Sequence, residues 1–248
     1  MWNGNAVAAG VLSFAASIVS IGGCDIGAAS RLATTEHHGQ QAQLPNGRYR
    51  IDPERHRAWF LTHEGVYVYD ISRPERVAVP LPGWVSVDTR YGCLPDLALG
   101  PKGEAVITSN SLPTLWRIDP DTLAVSVHPL LLDADTEKDV GFSGLAYSAQ
   151  HGAFLAASYS HGSLWRIDPL YKTAQKILLS APIPGACGLA MRPRSAQQAF
   201  SRFADLCVHT PRGGWTVVFA SDLRSAYVST APCTDRPWPL DAVWPKEE

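Results

Sequence analysis

Leu-Trp-Arg-Ile-Asp-Pro occupies residues 115–120 and recurs unchanged at residues 164–169, 49 positions further along the chain. A weaker copy, Val-Tyr-Val-Tyr-Asp-Ile at residues 66–71, lies one such step upstream, with Asp70 in the place of Asp119. Self-similarity at a fixed period of 40 to 50 residues is typical of folds that repeat one small structural unit. The chain is therefore predicted to be a repeat protein.

The alternation within this stretch predicts a β-strand with two different faces. Trp116 and Ile118 point to one side and Arg117 to the other, which predicts one face buried between repeats and one wetter face. Asp119 accepts backbone hydrogen bonds and Pro120 fixes φ, as is typical of a type I turn. The arginine is interpreted as a surface or inter-repeat salt-bridge residue, because a binding site is rarely copied unchanged in two repeats.

Short apolar runs separated by turns predict four strands in each repeat. Such sets lie at residues 49–79, 97–128, 145–179 and 189–230, and the 20 Gly and 19 Pro agree with many turns. Four short strands in such a period match one blade of a β-propeller. The sequence thus predicts an all-β, β-propeller-like fold with four readable four-stranded blades. A fifth blade using a segment such as residues 240–244, or an incomplete ring, stays open.

The repeated blade sequence resembles that of the NHL, YVTN and gluconolactonase-like propeller families. The resemblance covers residues 47–230 and implies a propeller, although those families usually carry six or seven blades. Its motif is specific for the blade and not for one family.

Composition excludes one class of partner. The 248 residues are 46% hydrophobic and 18% charged, as in a globular protein with a core. The formal net charge is −2, and no basic block appears. A nucleic-acid partner is therefore not expected.

The N-terminal segment predicts a location outside the cytosol. Residues 1–24 contain no charged side chain and hold an apolar run of signal-peptide length. Ile-Gly-Gly-Cys, ending at Cys24, resembles the bacterial lipobox, in which the cysteine is lipidated and the preceding peptide removed. The resemblance implies a bacterial cell-envelope lipoprotein, anchored to a membrane through Cys24 and facing the periplasm or exterior. A cleaved ordinary signal, an uncleaved anchor and a cytosolic chain are the alternatives.

The chain is accordingly divided into three parts. Residues 1–24 are a signal peptide with lipobox, residues 25–46 a polar flexible tether, and residues 47–248 the propeller-like domain.

The other four cysteines form an even set, as expected in an oxidising compartment. Cys207 and Cys233 both lie in the fourth repeat, where a disulfide could close that blade. Cys93 and Cys187 both precede the first strand of a blade and so could face the central channel, although connectivity stays open. No Cys-x-x-Cys or Cys/His spacing indicates a zinc, redox or catalytic-thiol site.

Propellers usually meet ligands on the face formed by the turns between second and third strands and by the loops that join blades. Polar candidates on this face are His63, Glu64, Asp88, Arg90, Asn110, Asp139 and His161. The acidic loop at residues 133–139 lacks the spacing of a calcium loop, and we interpret it as a solvated loop.

Two functions follow from these observations. Gly-x-Ser-x-Gly, phosphate-binding and His-Glu-x-x-His motifs are absent, which favours a binding or scaffold module for a protein or small ligand, without a cofactor. The alternative is a metal-dependent lactonase or hydrolase of the gluconolactonase-like type. That resemblance implies a divalent cation such as calcium, and Glu64, Asn110 and Asp139 are of suitable types, but their flanking residues do not match the family motif. Three or more converging polar side chains at the channel centre would favour the enzyme, whereas a centre plugged by cysteines would argue against it.

Overall fold

The computed structural model describes residues 48–73, 75–87, 92–138, 140–191 and 205–233. Within these residues the chain forms 17 β-strands joined by turns and loops. No helix in this part of the chain has the length and apolarity needed to cross a membrane. The predicted signal peptide and tether lie outside the described residues.

Sixteen of the strands form four blades, each an antiparallel sheet whose strands pair in chain order. Blade 1 contains β1 (Arg48–Asp52), β2 (Arg57–Thr62), β3 (Gly65–Asp70) and β4 (Arg76–Val79). Blade 2 contains β5 (Leu97–Leu99), β6 (Ala105–Thr108), β7 (Thr114–Ile118) and β8 (Val125–Pro129), and is followed by β9 (Leu131–Leu132). Blade 3 contains β10 (Gly144–Ser148), β11 (Ala153–Ser158), β12 (Ser163–Ile167) and β13 (Thr173–Leu179). Blade 4 contains β14 (Gly188–Met191), β15 (Asp205–Thr210), β16 (Gly213–Phe219) and β17 (Ser225–Pro232). The predicted propeller-like fold with four four-stranded blades is confirmed.

The outermost strands link successive blades. β9, which continues from blade 2, pairs in parallel with the start of β13 through Leu131 and Thr173. The end of β13 pairs in parallel with the start of β17 through Leu178 and Ser225. The second junction thus repeats the first one blade later.

The three Asp turns share one kind of hydrogen bond, which explains why the aspartate recurs in the sequence. In each case one carboxylate oxygen of Asp70, Asp119 or Asp168 accepts a hydrogen bond from a backbone N–H two or three residues on. The donors are Ser72, Thr122 and Leu170, at 2.9, 2.9 and 2.7 Å. The N–H of Thr122, followed by its hydroxyl, holds the pKa of Asp119 below its ordinary value. These turns reverse the chain between the third and fourth strands.

Three hydrophobic cores lie between successive blades. Trp116 and Ile118 are buried against blade 1, whereas Trp165 and Ile167 are buried against blade 2. The predicted buried face of the repeated strand is therefore confirmed, and it packs against the preceding blade.

The arginine of the repeated strand has a more specific environment than the sequence predicts. Arg117 is half-buried and forms no ion pair with another described residue, but it lies beside the hydroxyl of Tyr171 in blade 3. That hydroxyl donates a hydrogen bond of 3.0 Å to Oε1 of the buried Glu104. Burial, followed by the charge of Glu104, raises the pKa of Tyr171. A polar cluster thus lies inside the junction of blades 2 and 3.

Candidate functional site

A buried ion-pair cluster joins the starts of the innermost strands of all four blades. Arg48, the first residue of β1, places Nη1 2.9 Å from Oδ2 of Asp96, just before blade 2. The same nitrogen donates a hydrogen bond of 2.6 Å to the carbonyl oxygen of Ser143, just before blade 3. Nη2 donates to the carbonyl oxygen of Cys187, just before blade 4. We call Arg48, Arg50, Asp96, Ser143 and Cys187 the central hub.

The carboxylate of Asp96 is fully engaged within the hub. Its side chain is 0% exposed, and Arg50 places Nη2 3.4 Å from Oδ1. Oδ1 also accepts a hydrogen bond of 2.8 Å from the N–H of Leu97, and Oδ2 accepts one of 2.9 Å from that of Leu145. Burial lowers the pKa of Arg50, and the charge of Asp96 acts in the opposite direction. A buried charge with these partners is typical of a structural ion pair.

A disulfide adjoins the hub. Cys93, before blade 2, is bonded to Cys187, before blade 4, with their Cα atoms 5.1 Å apart and 94 residues of separation. Ser143 Oγ donates a hydrogen bond of 2.6 Å to the carbonyl oxygen of Ala186, next to this bridge. Both cysteines lie where the sequence places them, ahead of a blade's first strand. The bridge and the hub together lie where the innermost strands begin.

Asn110 lies in the connection between β6 and β7 and fixes the loop that joins blades 1 and 2. Its Nδ2 donates hydrogen bonds of 3.0 and 2.9 Å to the carbonyl oxygens of Val87 and Cys93. Its Oδ1 accepts one of 2.9 Å from the N–H of Val87. Both ends of the amide are thus used to hold the chain that carries Cys93 toward the disulfide.

The other described candidates lie in two of the predicted turns. His63 and Glu64 lie between β2 and β3, with side chains 82% and 63% exposed and 3.7 Å between Nε2 and Oε1. Glu64 also accepts a hydrogen bond of 2.7 Å from the hydroxyl of Tyr67. His161 lies half-buried between β11 and β12. Asp88, Arg90 and Asp139 lie outside the described residues, so their role stays a prediction.

Two lysines pair with Asp135 in the acidic loop. Lys138 Nζ lies 2.7 Å from Oδ1 of Asp135, and Lys176 contacts Oδ2 of the same residue. Hydrogen bonds from Lys138 and then Lys176 lower the pKa of Asp135 to about 2. Asp133 accepts a hydrogen bond of 2.8 Å from the N–H of Lys176. The loop is therefore anchored to β13.

An apolar cleft of about 530 Å³ lies where the outer strands of blades 3 and 4 meet. Leu178 and Leu179 of β13 line one side, and Phe219 and Tyr227 of blade 4 line the other. Leu178 is 74% exposed and Tyr227 is 64% exposed. Uncovered apolar and aromatic side chains grouped in a concave surface are typical of binding sites.

A second disulfide joins Cys207 of β15 to Cys233, which follows β17, with their Cα atoms 5.8 Å apart. His209 places Nε2 3.2 Å from Sγ of Cys207. This histidine is not among the candidates predicted from the sequence. The signal that could have found it is Cys-Val-His, since residues two apart on a strand project from the same face.

The fold is shared with several solved structures, whereas no protein-family model and no curated protein matches the sequence. Virginiamycin B lyase from Staphylococcus aureus is 12% identical, with a TM-score of 0.53 over 79% of this chain and 59% of that one. Auxiliary nutrient binding proteins from Bacteroides ovatus and Bacteroides thetaiotaomicron are also 12% identical, with TM-scores of 0.53 and 0.52. The matches cover 78% and 77% of this chain, and 49% and 43% of those chains. This chain thus spans about half the length of these proteins, and at this identity the likeness shows the fold alone.

Proposed function

We propose that this chain is a membrane-anchored, extracytoplasmic β-propeller lipoprotein that acts as a binding or scaffold module. The observation that carries the binding or scaffold role is that the polar groups and cysteines at the centre of the blades are used in structural contacts. The hub and the Cys93–Cys187 disulfide occupy the place where a propeller enzyme would gather its reacting groups. Asp96, the carboxylate of the hub, is held by two arginines and two backbone N–H groups.

The alternative, a metal-dependent lactonase, needs oxygen ligands that converge on one ion. Both the oxygen and the nitrogen of the Asn110 amide form hydrogen bonds with the backbone of the joining loop. Glu64 is largely exposed and is bonded to Tyr67 of its own blade. Of the three residues with types suited to the alternative, Asn110 and Glu64 are therefore engaged in other contacts. The third, Asp139, lies outside the described residues.

The cysteines support the extracytoplasmic location. The four described cysteines form two disulfides, which persist in oxidising compartments such as the periplasm. Cys24 is then left for the lipid that the lipobox-like sequence implies. Lipidation would hold the propeller at the membrane surface through the tether.

The cleft between blades 3 and 4 is the surface that we assign to binding. Propellers of similar fold include two named auxiliary nutrient binding proteins and a lyase, so the fold by itself does not choose a function. The exposed Leu178 and Tyr227 offer a protein side chain or a small apolar ligand a shallow apolar surface.

Photocrosslinking in bacterial cells that express the full chain tests this assignment. A photoreactive residue at Leu178, in the cleft, is expected to give one discrete adduct, detected as a larger protein band or as a small added mass. The control is the same residue at Leu170, which is 67% exposed but lies in a turn outside the cleft. Equal adducts at both positions, or none at Leu178, would count against the cleft.

Calorimetric titration with calcium separates the proposal from the lactonase alternative. The proposal expects no stoichiometric calcium binding by the purified chain and no hydrolysis of sugar lactones above a protein-free control. One calcium ion per chain, lost in Asp139→Asn, together with calcium-dependent lactone hydrolysis, would establish the alternative instead.

A further inference from the structure

We infer that Cys207, His209 and Cys233 form a redox-gated site for a thiophilic metal ion such as Zn²⁺. Their ligand atoms, two Sγ and one imidazole nitrogen, all lie within 4.8 Å of one another. No other group of three or more His, Cys, Asp or Glu side chains in the described part of the chain meets this criterion. The site is closed when the cysteines are bonded to each other and open when they are reduced.

The strands of blade 4 place these three residues together. Cys207 and His209 lie two positions apart on β15 and project from the same face, while Leu206 and Val208 point into the core shared with blade 3. Gly214 of β16 is paired with His209, and a Cβ at this position would lie 2.7 Å from the carbonyl oxygen of Cys233. Because Gly214 has no side chain, Cys233 has the space to cross β16 at this position.

The spacing suits tetrahedral coordination. Zn–S bonds of about 2.3 Å and Zn–N bonds of about 2.0 Å place a sulfur and a nitrogen ligand ~3.5 Å apart, and two sulfurs ~3.8 Å apart. The observed distance between Cys207 Sγ and His209 Nε2 is 3.2 Å. After reduction, the two sulfurs need to separate by only a few ångströms to reach coordination distance. Two thiolates and an imidazole are ligands preferred by zinc, with a fourth position left for water.

The switch balances as a two-electron exchange. A dithiol donates two electrons and two protons, so the S–S bond breaks, two thiols form and the dithiol becomes a disulfide. Zn²⁺ then replaces both thiol protons, which pass to solvent, while neutral His209 donates its lone pair. Reoxidation reforms the S–S bond and releases the ion, because the same sulfur atoms cannot serve both bonds.

The test uses the full chain with Cys24→Ser, so that all thiols come from the two disulfides. The oxidised and dithiol-reduced proteins are freed of reductant without air, equilibrated with Zn²⁺, and analysed for bound metal by mass spectrometry. We expect one ion per reduced chain and none per oxidised chain. Co²⁺ in place of Zn²⁺ should give a sulfur-to-cobalt charge-transfer band in the reduced sample.

The second disulfide supplies a matched control. Cys93→Ser with Cys187→Ser should keep the zinc, whereas Cys207→Ser with Cys233→Ser should lose it. His209→Gln keeps both disulfides, so its fold can be checked in the oxidised state, and it should weaken zinc binding by more than about tenfold. A reduced chain that takes up no zinc, or zinc that persists without Cys207 and Cys233, would overturn the inference. Unchanged affinity in His209→Gln would remove the histidine from the site and overturn it as stated.

Discussion

Asp96→Asn removes the negative charge of the central hub while nearly preserving the shape of the side chain. Arg48 and Arg50 have side chains only 9% and 17% exposed, and both lie within 3.4 Å of the Asp96 carboxylate. The substitution removes the negative charge that both buried guanidinium groups contact. Breaking a buried ion pair on one side typically costs about 3–5 kcal/mol, so we expect a loss of stability of that size.

A surface ion pair at similar distance provides the comparison. Arg55 Nε lies 3.0 Å from Oδ1 of Asp121, whose side chain is 74% exposed. Asp121→Asn should therefore cost about 0–1 kcal/mol. Urea unfolding of the disulfide-intact proteins, followed by tryptophan fluorescence, measures both changes. Arg48→Met added to Asp96→Asn should restore part of the lost stability, because one of the two buried cations beside position 96 is removed. If Asp96→Asn lowers the free energy of unfolding no more than Asp121→Asn does, the buried ion pairs of the hub do not stabilise the fold as argued.

Three further predictions use the same unfolding assay. Gly162 and Gly152 have nearly equal φ values of 57° and 56°, but a Cβ at Gly162 would lie 2.7 Å from the backbone of Ile183, whereas one at Gly152 meets nothing within 4 Å. Gly152→Ala should thus cost about 1–2 kcal/mol, and Gly162→Ala about 1–3 kcal/mol more; equal costs would contradict the contact. Asp135 has a pKa lowered to about 2 in the folded protein, against about 4 in the unfolded chain. Its contribution to the free energy of unfolding should therefore be complete above about pH 4 and vanish as the pH falls through about 2. The difference in stability between the wild type and Asp135→Asn should shrink over this range, and a difference independent of pH would exclude the proposed pairing with lysine. Trp165→Ala, at a side chain 0% exposed, should cost about 3–5 kcal/mol, and a loss below about 1 kcal/mol would show that the repeated tryptophan is not core.

Local chemistry made the blades predictable from the sequence. The alternation around Trp116 and Trp165 requires a strand with one buried face, and the Asp turns carry their own hydrogen-bond acceptors. These features depend on residues close in sequence, so they recur with the 49-residue repeat and can be recognised from it. The sequence grouped Cys207 with Cys233 by their place in the fourth repeat, and Cys93 with Cys187 by their place before a first strand, although it left the connectivity open.

The hub was not predictable in the same way. Arg48 and Asp96 are the partners in a contact between different blades, and neither belongs to the repeated stretch. Which inner-strand residues meet depends on how the blades are arranged about the centre, which periodicity alone does not determine. The same reason applies to Asn110, whose type suggested a ligand but whose amide holds a loop. The Cys-Val-His sequence places His209 beside Cys207, but the approach of Cys233 across Gly214 is visible only in the folded blade.

The structural use of the central cysteines can be tested most directly by mass spectrometry of the mature protein, digested without reduction and with free thiols blocked. The account predicts one peptide pair linking Cys93 to Cys187 and another linking Cys207 to Cys233. A free thiol at Cys93 or Cys187, or a bridge from either one to Cys207 or Cys233, would contradict this arrangement and remove the main argument for a binding module.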